Sequence, residues 1–363
     1  MSGWRVAGVA YIIGATMLAL AACAGSANGP DKAGGSGRPV TLTLGTPDSA
    51  GQPDAPLIEY FADQVRAISG GRLLIKIDYT AAGDANNFEQ VTVGKVRRGS
   101  LDLGWVGSRV WDTEGVLAFQ ALQAPFLITN YQLLDRVTTG PIAREMLAGL
   151  DHVGVVGLGL YPDELRHPAG FGKPLLSLAD FRGANIRVPA SNATDDLVRA
   201  LGARPVHLNG PALVQAVDDG ELRGAETSVG NAASLPGPPI VTGNITFFPR
   251  AITLFAAAKT FAGLSDSQRQ ALQAAAQRTL HFAVRRRPAA WSSAKFCALG
   301  GAIVLAAKPQ VAEIVHAGDA VYKVLERDQQ TKSFIARIRQ MKTGGDATPS
   351  TPAPCGTVAG SGR

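Results

Sequence analysis

Hydrophobic and polar positions follow two different periods along the first part of the chain. VTLTLGT (40–46) alternates with period two and predicts a β-strand, and LLIKIDY (73–79) predicts a second one. Apolar residues recur at helical spacing from Pro56 to Ile68, and another helix is expected from Asn87 to Arg98. LDLGWVG, which begins at Leu101, predicts a third strand. This β-α-β-α-β order is typical of a parallel sheet with helices on its faces.

The same alternation of strands and helices continues in the second part of the chain. A glycine-rich strand is expected at 153–161, and helices are expected at 195–201 and 211–218. A strong helix is predicted from Ser265, which has the pattern of an N-cap, and a last long helical region spans 309–341. The sequence therefore predicts the α/β class.

One arginine interrupts an otherwise apolar strand pattern in DFRGANIRVPAS (180–191). Ile186 and Val188 point to one side of the predicted strand, so Arg187 points to the other, and Pro189 ends the pattern. The pattern alone leaves two interpretations open, since this guanidinium could reach solvent or could bind an anion.

The N-terminus has the pattern of an export signal. An apolar run from Val6 to Ala22 is shorter than the ~20 residues of a membrane helix. It ends in LAAC, which resembles the bacterial lipobox and predicts a signal peptide (1–22) with lipid on Cys23. The alternative is an uncleaved anchor, and in either case the body is expected to be extracytoplasmic, at the outer face of the cell membrane.

Low-complexity segments flank the body, and cysteines are few. Residues 23–39 predict a flexible tether and 343–363 a flexible tail, because neither can bury enough apolar surface. With Cys23 lipidated, Cys297 and Cys355 remain as an even pair in an oxidising compartment, which predicts a disulfide between them. Their separation and the lack of nearby histidines make a metal site a poor interpretation.

Charge and motifs exclude several classes of function. The net charge of +6 is spread along the 363 residues. The sequence has no stripe of basic residues with interleaved aromatics, which nucleic-acid binding would need. The cluster Arg285 to Arg287 is interpreted as a solvated helix end, with an acidic partner as the alternative. No nucleophile elbow, zinc-protease motif or phosphate loop is present, and the histidines are scattered. A binding protein without cofactor or metal is thus favoured over an enzyme.

Two stretches resemble the extracytoplasmic solute-binding proteins of tripartite ATP-independent periplasmic (TRAP) transporters, of the dicarboxylate-binding type. The first is AAGDANNFEQVTVGKVRRGSLDLGWVG with the later APFL, which follow the family's G…E…G-x-x-D and proline-phenylalanine patterns. The second is ELRHPAGFGKPLLSLADFRGANIRVP, which contains the family's first arginine, Arg166, and its I-R-V-P arginine, Arg187. The resemblance covers about residues 40–340.

The resemblance implies a site for an organic anion between two lobes. It implies that Arg187 pairs with the ligand's carboxylate, which suits the rigid fork of a guanidinium. It also implies that Arg166 is a second ligand contact, with a salt bridge at the entrance between the lobes as the alternative. Weaker ligand candidates come from later motifs and from loops at strand ends, where open sheets bind ligands. They are Thr227, Glu226, Trp105, Ser108 and Asn86, of which Trp105 could equally be a core residue.

The chain also departs from the family pattern. Arg166 and Arg187 are one residue further apart than expected, and Arg223 stands where the family usually has aspartate. The segment SLPGPPIV is unusually rich in proline for its place. These departures leave open which acid is bound and whether the receptor serves another transport system.

The expected architecture is a two-lobed fold like that of periplasmic binding proteins, with crossing strands and a long helix near the C-terminus. Lobe I is predicted at 40–163 plus 249–290, and lobe II at 164–248 plus 291–342. Closure on a small organic acid is expected to present a surface to TRAP membrane subunits, while the N-terminal lipid contacts the membrane. The alternatives are an envelope sensor or docking module on the same fold and a hydrolase-like enzyme built from dispersed residues.

Overall fold

The computed structural model describes residues 38–237, 239–286 and 289–355. Within these ranges the strands, in chain order, are β1 Val40–Gly45, β2 Leu73–Asp78, β3 Leu103–Gly107, β4 Val155–Gly170, β5 Asn185–Arg187, β6 Arg204–Val206, β7 Gly224–Thr227, β8 Ile240–Thr242, β9 Phe248–Ala257 and β10 Ala302–Val304. The α-helices are α1 Ala55–Ile68, α2 Phe88–Arg97, α3 Tyr131–Thr139, α4 Pro141–Ala148, α5 Leu178–Phe181, α6 Asn192–Ala200, α7 Gly210–Asp218, α8 Val229–Ala232, α9 Ala258–Gly263, α10 Asp266–Arg285, α11 Ala289–Ala298, α12 Lys308–Leu325 and α13 Gln329–Gln340. Short 3-10 helices cover Ser108–Asp112, Leu117–Gln123, Gly149–Val153 and Gly344–Ala347.

The first half of the sheet is built on parallel strands. Strand β1 lies between β2 and β3 and is parallel to both, as the βαβαβ pattern predicts. Strand β3 continues antiparallel to β9, and β9 pairs antiparallel with β4. We call the group β2-β1-β3-β9-β4 the first half.

The second half of the sheet shares β4 with the first. The segment Val155–Arg166 of β4 pairs with β9, whereas His167–Gly170 pairs with β7. Beyond β7 lie β5 and then β6, all three parallel, and β8 joins β4 to β10. We call the group β7-β5-β6 with β8 and β10 the second half. The long strand β4 therefore passes from the first half into the second, and the α/β class is confirmed.

Helices cover the first half through apolar faces that the sequence encodes. In α1 the buried residues Leu57, Phe61 and Val65 recur at helical spacing. Helix α10 begins after Ser265, whose hydroxyl accepts from the backbone N–H of Gln268 while that glutamine side chain accepts from the Ser265 N–H.

The predicted long helical region near the C-terminus consists of two helices. Helix α12 ends at Leu325, and α13 begins after Asp328, whose carboxylate accepts a hydrogen bond from the backbone N–H of Thr331 (2.7 Å). This N-cap satisfies an otherwise unpaired donor and fixes the start of a new helix, so the predicted helical region is divided in two at this point.

The chain after α13 differs from the expected flexible tail as far as residue 355. The backbone carbonyl of Asp346 accepts from Asn130 Nδ2 (3.2 Å), and its carboxylate pairs with Arg136. The Ser350 N–H donates to the carbonyl of Thr129 (2.9 Å). A disulfide then joins Cys355 to Cys297 of α11, with their Cα atoms 5.5 Å apart. Polar contacts and a covalent link hold this segment against the body.

Several sequence predictions lie outside the described residues. They are the signal peptide at 1–22, the lipidated Cys23 and the tether as far as residue 37. In the part of the chain that is described, no helix combines the length and apolar character needed to cross a bilayer.

Candidate ligand-binding site

A cleft of about 420 Å³ opens between the two halves of the sheet. Its walls are formed by loops at the carboxyl ends of strands, the position where open α/β sheets bind ligands. Charged lining residues include four arginines, Arg109, Arg166, Arg187 and Arg250, together with Asp48 and Asp84. The other lining residues are Pro47, Ser49, Gln52, Thr80, Gly83, Phe88, Pro189, Asn209, Gly210, Leu213, Thr227, Asn231, Ser234 and Leu235.

Arg187 ends β5 with its side chain in the wall of this cleft. Its neighbours Ile186 and Val188 are buried on the opposite side of the strand, in the main hydrophobic core. Nε of Arg187 donates to the backbone carbonyl of Leu208 (2.9 Å), and the guanidinium lies 5.8 Å from the ring centroid of Phe88. Only 8% of the residue is exposed.

No carboxylate among the described residues pairs with Arg187. Burial, together with the nearby positive charges of Arg109 and Arg166, lowers the pKa of its guanidinium to about 10. Because Nε is used by the backbone, the two terminal nitrogens remain available toward the cleft. This is the arrangement in which a guanidinium can hold both oxygens of a carboxylate.

Arg166, by contrast, is compensated by a partner inside the protein. Its Nε pairs with Oε1 of Glu226, and Nη2 donates to Glu226 Oε2 and to the Glu226 carbonyl, both at 3.1 Å. Both side chains are almost fully buried. Burial alone raises the pKa of Glu226, but Arg166 holds it below its usual value, so the pair is ionised.

Arg109 is compensated in the same way by Glu89. Its Nε and Nη2 donate to the two carboxylate oxygens of Glu89, each at 2.9 Å, in a two-pronged pair. Glu89 Oε1 also accepts from the backbone N–H of Gly107 (3.0 Å). Glu89 is the glutamate of the first family motif, so this motif residue supports an arginine of the cleft wall.

Arg250 lies in a cluster of carboxylates. It donates to Oδ2 of Asp163 (2.8 Å) and to Oδ2 of Asp48 (2.5 Å), and Oδ2 of Asp54 is 3.6 Å away. Burial opposes the charge of Arg250, but these three carboxylates raise its pKa well above the usual value. Burial and the neighbouring Asp48 raise the pKa of Asp54 to about 8.

Two polar acceptors in the cleft wall complement these cations. Asp48 follows the first strand and is 21% exposed at its side chain, with Oδ2 on Arg250. Asn231 lies in α8 of the second half, and its Oδ1 is buried without a hydrogen-bond partner in the described structure. Thr227 Oγ1 donates weakly to the Ser228 carbonyl (3.3 Å) at the end of β7.

The residues named from the sequence separate into two groups. Arg187, Arg166 and Thr227 line the cleft. Glu226 is behind the wall as the partner of Arg166. Trp105 is fully buried and stacks on Tyr161 with ring centroids 4.7 Å apart, so it is a core residue.

The other two residues lie outside the cleft lining as well. Ser108 is buried at the start of its 3-10 helix. Asn86 lies at the mouth of the cleft, where its Oδ1 accepts from the backbone N–H of Asn209 (3.0 Å).

Sequence reasoning missed Arg109, Asp48, Asn231 and Arg250. Arg109 and Asp48 follow strands β3 and β1 directly, so the rule that ligands lie beyond strand carboxyl ends could have found them. Arg250 and Asn231 carry no comparable local signal. Among the described residues, no group of His, Cys, Asp and Glu side chains has the arrangement of a metal site.

A family model described as DctP, bacterial extracellular solute-binding protein, family 7, matches residues 44–328. Among curated proteins, the chain is 29% identical over 195 residues to the uncharacterized protein y4mM of Sinorhizobium fredii. It is 27% identical over 117 residues to the C4-dicarboxylate-binding periplasmic protein DctP of Rhodobacter capsulatus. These matches cover 54% and 32% of this chain and 35% of each relative.

Solved structures of TRAP periplasmic solute-binding proteins share the fold over their whole length. One from Bradyrhizobium, in complex with galacturonate, has a TM-score of 0.75 at 24% identity and covers 83% of this chain and 100% of its own. One from Roseobacter denitrificans, with bound β-D-glucuronate, has a TM-score of 0.74 at 20% identity. The match covers 84% of this chain and 100% of that one. One from Polaromonas, bound to D-erythronate, has a TM-score of 0.73 at 20% identity. The match covers 84% of this chain and 99% of that one.

The resemblance to TRAP solute-binding proteins, first read from short motifs, is confirmed by a family model that matches most of the chain and by this shared fold. The protein belongs to the bacterial extracellular solute-binding proteins of family 7.

Proposed function

We propose that this protein is an extracytoplasmic receptor that binds a small organic carboxylate through Arg187. The observation that carries the proposal is a nearly buried guanidinium in a cleft, with no carboxylate partner among the described residues. Similar proteins support the carboxylate class, since they include a C4-dicarboxylate-binding protein and structures with bound galacturonate and D-erythronate.

The energetics of Arg187 favour a ligand role over a structural one. A guanidinium cannot escape burial by losing its proton at neutral pH, and removing it from water without a counter-ion costs several kcal/mol. The three other arginines of the cleft avoid this cost through Glu226, Glu89 and the carboxylates around Arg250. An incoming carboxylate provides the compensation that Arg187 lacks.

Ligand binding is coupled to closure of the two halves. Arg187 and Thr227 belong to the second half, whereas Asp48 and Phe88 belong to the first. A ligand that touches both walls binds the closed arrangement better than an open one, and this differential affinity drives closure.

The closed receptor delivers its ligand to TRAP membrane subunits and is held near them by lipid on Cys23. The lipobox-like LAAC before Cys23 supports the anchor, and family membership supports the extracytoplasmic location. Labelling with a radioactive fatty acid, with Cys23→Ser as the control, tests the anchor separately from ligand binding.

The central experiment identifies the ligand and then replaces Arg187, the residue proposed to bind its carboxylate. Native mass spectrometry of gently purified protein reveals a co-purifying acid, and calorimetry then measures its affinity. Arg187→Ala should weaken binding at least about 100-fold, since a charge-assisted pair is lost. Arg199→Ala, at an exposed helix position paired with Asp195, is the matched control and should bind normally. Unchanged affinity in Arg187→Ala contradicts the proposal.

A further inference from the structure

The charges of the cleft indicate how many carboxylates its ligand carries. Arg109, Arg166 and Arg250 each pair with carboxylate side chains within the protein, through two or more nitrogen–oxygen contacts. Among the described lining residues, Arg187 alone lacks such a partner. The cleft therefore offers one uncompensated cation, and one carboxylate satisfies it.

A second carboxylate on the ligand would face an unfavourable environment. Asp48 contributes a carboxylate to the cleft wall, and its ion pair with Arg250 holds that carboxylate in place. Arg250, in turn, is already engaged by Asp163 on its other terminal nitrogen (2.8 Å). Like charges at short distance in a partly desolvated site repel, so the wall beyond Arg187 disfavours a dianion.

The same wall is suited to hydroxyl groups. No described residue donates a hydrogen bond to Oδ1 of Asp48, since its ion pair uses Oδ2. Oδ1 of Asn231 is buried and unpaired, and a buried acceptor without a donor costs free energy. Asp48 and Asn231 come from opposite halves, so hydroxyl donors on one ligand satisfy an acceptor on each side.

We infer that the ligand is a small monocarboxylate that carries hydroxyl groups, and that Asp48 and Asn231 are the specificity-determining residues that select it. The inference rests on the proposed function, because it takes Arg187 as the anchor of the carboxylate. Asp48 acts by accepting from hydroxyls and by repelling a second carboxylate, whereas Asn231 acts as an acceptor alone.

Four linear six-carbon acids separate these features by calorimetry on the full chain. Hexanoate and D-gluconate each have one carboxylate, and only D-gluconate has hydroxyl groups. Adipate and D-glucarate each have two carboxylates, and only D-glucarate has hydroxyl groups. D-galacturonate adds a cyclic hydroxylated monocarboxylate. We expect D-gluconate or D-galacturonate to bind at least about 100-fold more tightly than hexanoate, adipate and D-glucarate, because the others lack donors or add a charge.

Two variants assign the selectivity to residues. Asp48→Asn keeps a hydrogen bond to Arg250 but removes the negative charge, so the preference for D-gluconate over D-glucarate should fall at least about 10-fold. Asn231→Ala should weaken the hydroxylated acids about 10-fold and leave hexanoate unchanged. Asp196→Asn, at a half-buried helix position outside the cleft lining, is the charge-matched control and should alter neither ratio.

The outcomes distinguish this inference from the proposed function. If adipate or D-glucarate binds as tightly as the hydroxylated monocarboxylates, and Arg187→Ala abolishes that binding, the receptor proposal holds and the inference is overturned. Equal binding of hexanoate and D-gluconate overturns the hydroxyl requirement. If none of the acids binds, the inference is overturned, and the wild-type panel decides this even where a variant does not fold. The receptor proposal is decided separately, by the acid that co-purifies and by its loss in Arg187→Ala.

Discussion

Asn86 accepts a hydrogen bond from the backbone N–H of Asn209 at 3.0 Å, across the mouth of the cleft. Asn209 Nδ2 approaches the carbonyl of Ala85 in return (3.5 Å). Beside them, Gly210 has a φ of +54°, and a Cβ there would lie 2.5 Å from Asp84 Oδ1. Loops from the two halves therefore meet closely at the mouth of the cleft.

Asn86→Ala is expected to accelerate ligand release. The variant removes a hydrogen bond that exists only when the cleft is closed, and such a bond contributes about 1 kcal/mol. The dissociation rate should rise roughly fivefold while the association rate changes little. Stopped-flow fluorescence with the identified ligand measures both rates. Asn86→Asp keeps an acceptor for the Asn209 N–H and should release ligand at nearly the wild-type rate. Equal dissociation rates in Asn86→Ala and wild type would show that this hydrogen bond does not slow ligand release.

Glu226→Gln is expected to destabilise the fold strongly. The substitution leaves Arg166 buried without its counter-ion, and breaking a buried pair in this way costs about 3–5 kcal/mol. Chemical denaturation followed by circular dichroism measures the free energy of unfolding. Glu145→Gln breaks an exposed pair with Arg337 and should have a much smaller effect. Similar losses in the two variants would show that burial of the Arg166 pair does not matter.

The strand pattern could predict where Arg187 points, because period two assigns Ile186 and Val188 to one side and the arginine to the other. It could not do this for Trp105. All five residues of β3 are buried, so alternation carries no information about which side faces the cleft. The contact with Tyr161, which decides the matter, depends on how β4 crosses the sheet.

The sequence also could not predict which charged residues pair with each other. Glu226 was expected to contact ligand, yet it lies 60 positions from the arginine that engages it. The same limit applies to Asp48 and Arg250, which are 202 positions apart. Local patterns predict strands, helices and caps, whereas the charge balance of the cleft depends on tertiary pairing that one sequence does not display.

His167 is expected to make stability fall in acid. Burial lowers the pKa of this histidine to about 4, and its Nδ1 lies 2.9 Å from the carbonyl of Ile245. Between pH 6.5 and 4 the unfolded chain binds a proton at this site and the folded chain does not, so stability decreases as pH falls. His167→Asn retains a donor for the carbonyl without titrating. The difference in unfolding free energy between wild type and variant should change by about 1.4 kcal/mol per pH unit in this window.

Matched denaturation series at several pH values test this expectation. His316→Asn, at an exposed position beside Asp319, is the control for a histidine that is not buried. A constant difference between wild type and His167→Asn across the window would mean that the buried ring is protonated with the ordinary pKa.

Loss of the Cys297–Cys355 disulfide is expected to lower stability. The bond closes a loop across 58 positions, for which the chain-entropy model gives about 4 kcal/mol. Cys355→Ser should therefore unfold at lower denaturant concentration, and Cys297→Ser should match it because either change removes the same bond. Reduction of the wild type should reproduce both variants; a reductant-insensitive midpoint would contradict the disulfide's contribution.

Arg187→Met is expected to increase the stability of the ligand-free protein while it abolishes binding. The lowered pKa of Arg187 means that the folded state disfavours its charge, so a side chain of similar length without charge should raise the unfolding free energy by about 2 kcal/mol. Arg166→Met is the matched control with the opposite sign, because it leaves Glu226 buried and unpaired. Saturating ligand should stabilise the wild type and Asn86→Ala but not Arg187→Met, since only a protein that binds gains stability by mass action. Thermal denaturation with and without ligand measures all four proteins, and a destabilised ligand-free Arg187→Met would indicate that this guanidinium serves the fold rather than a ligand.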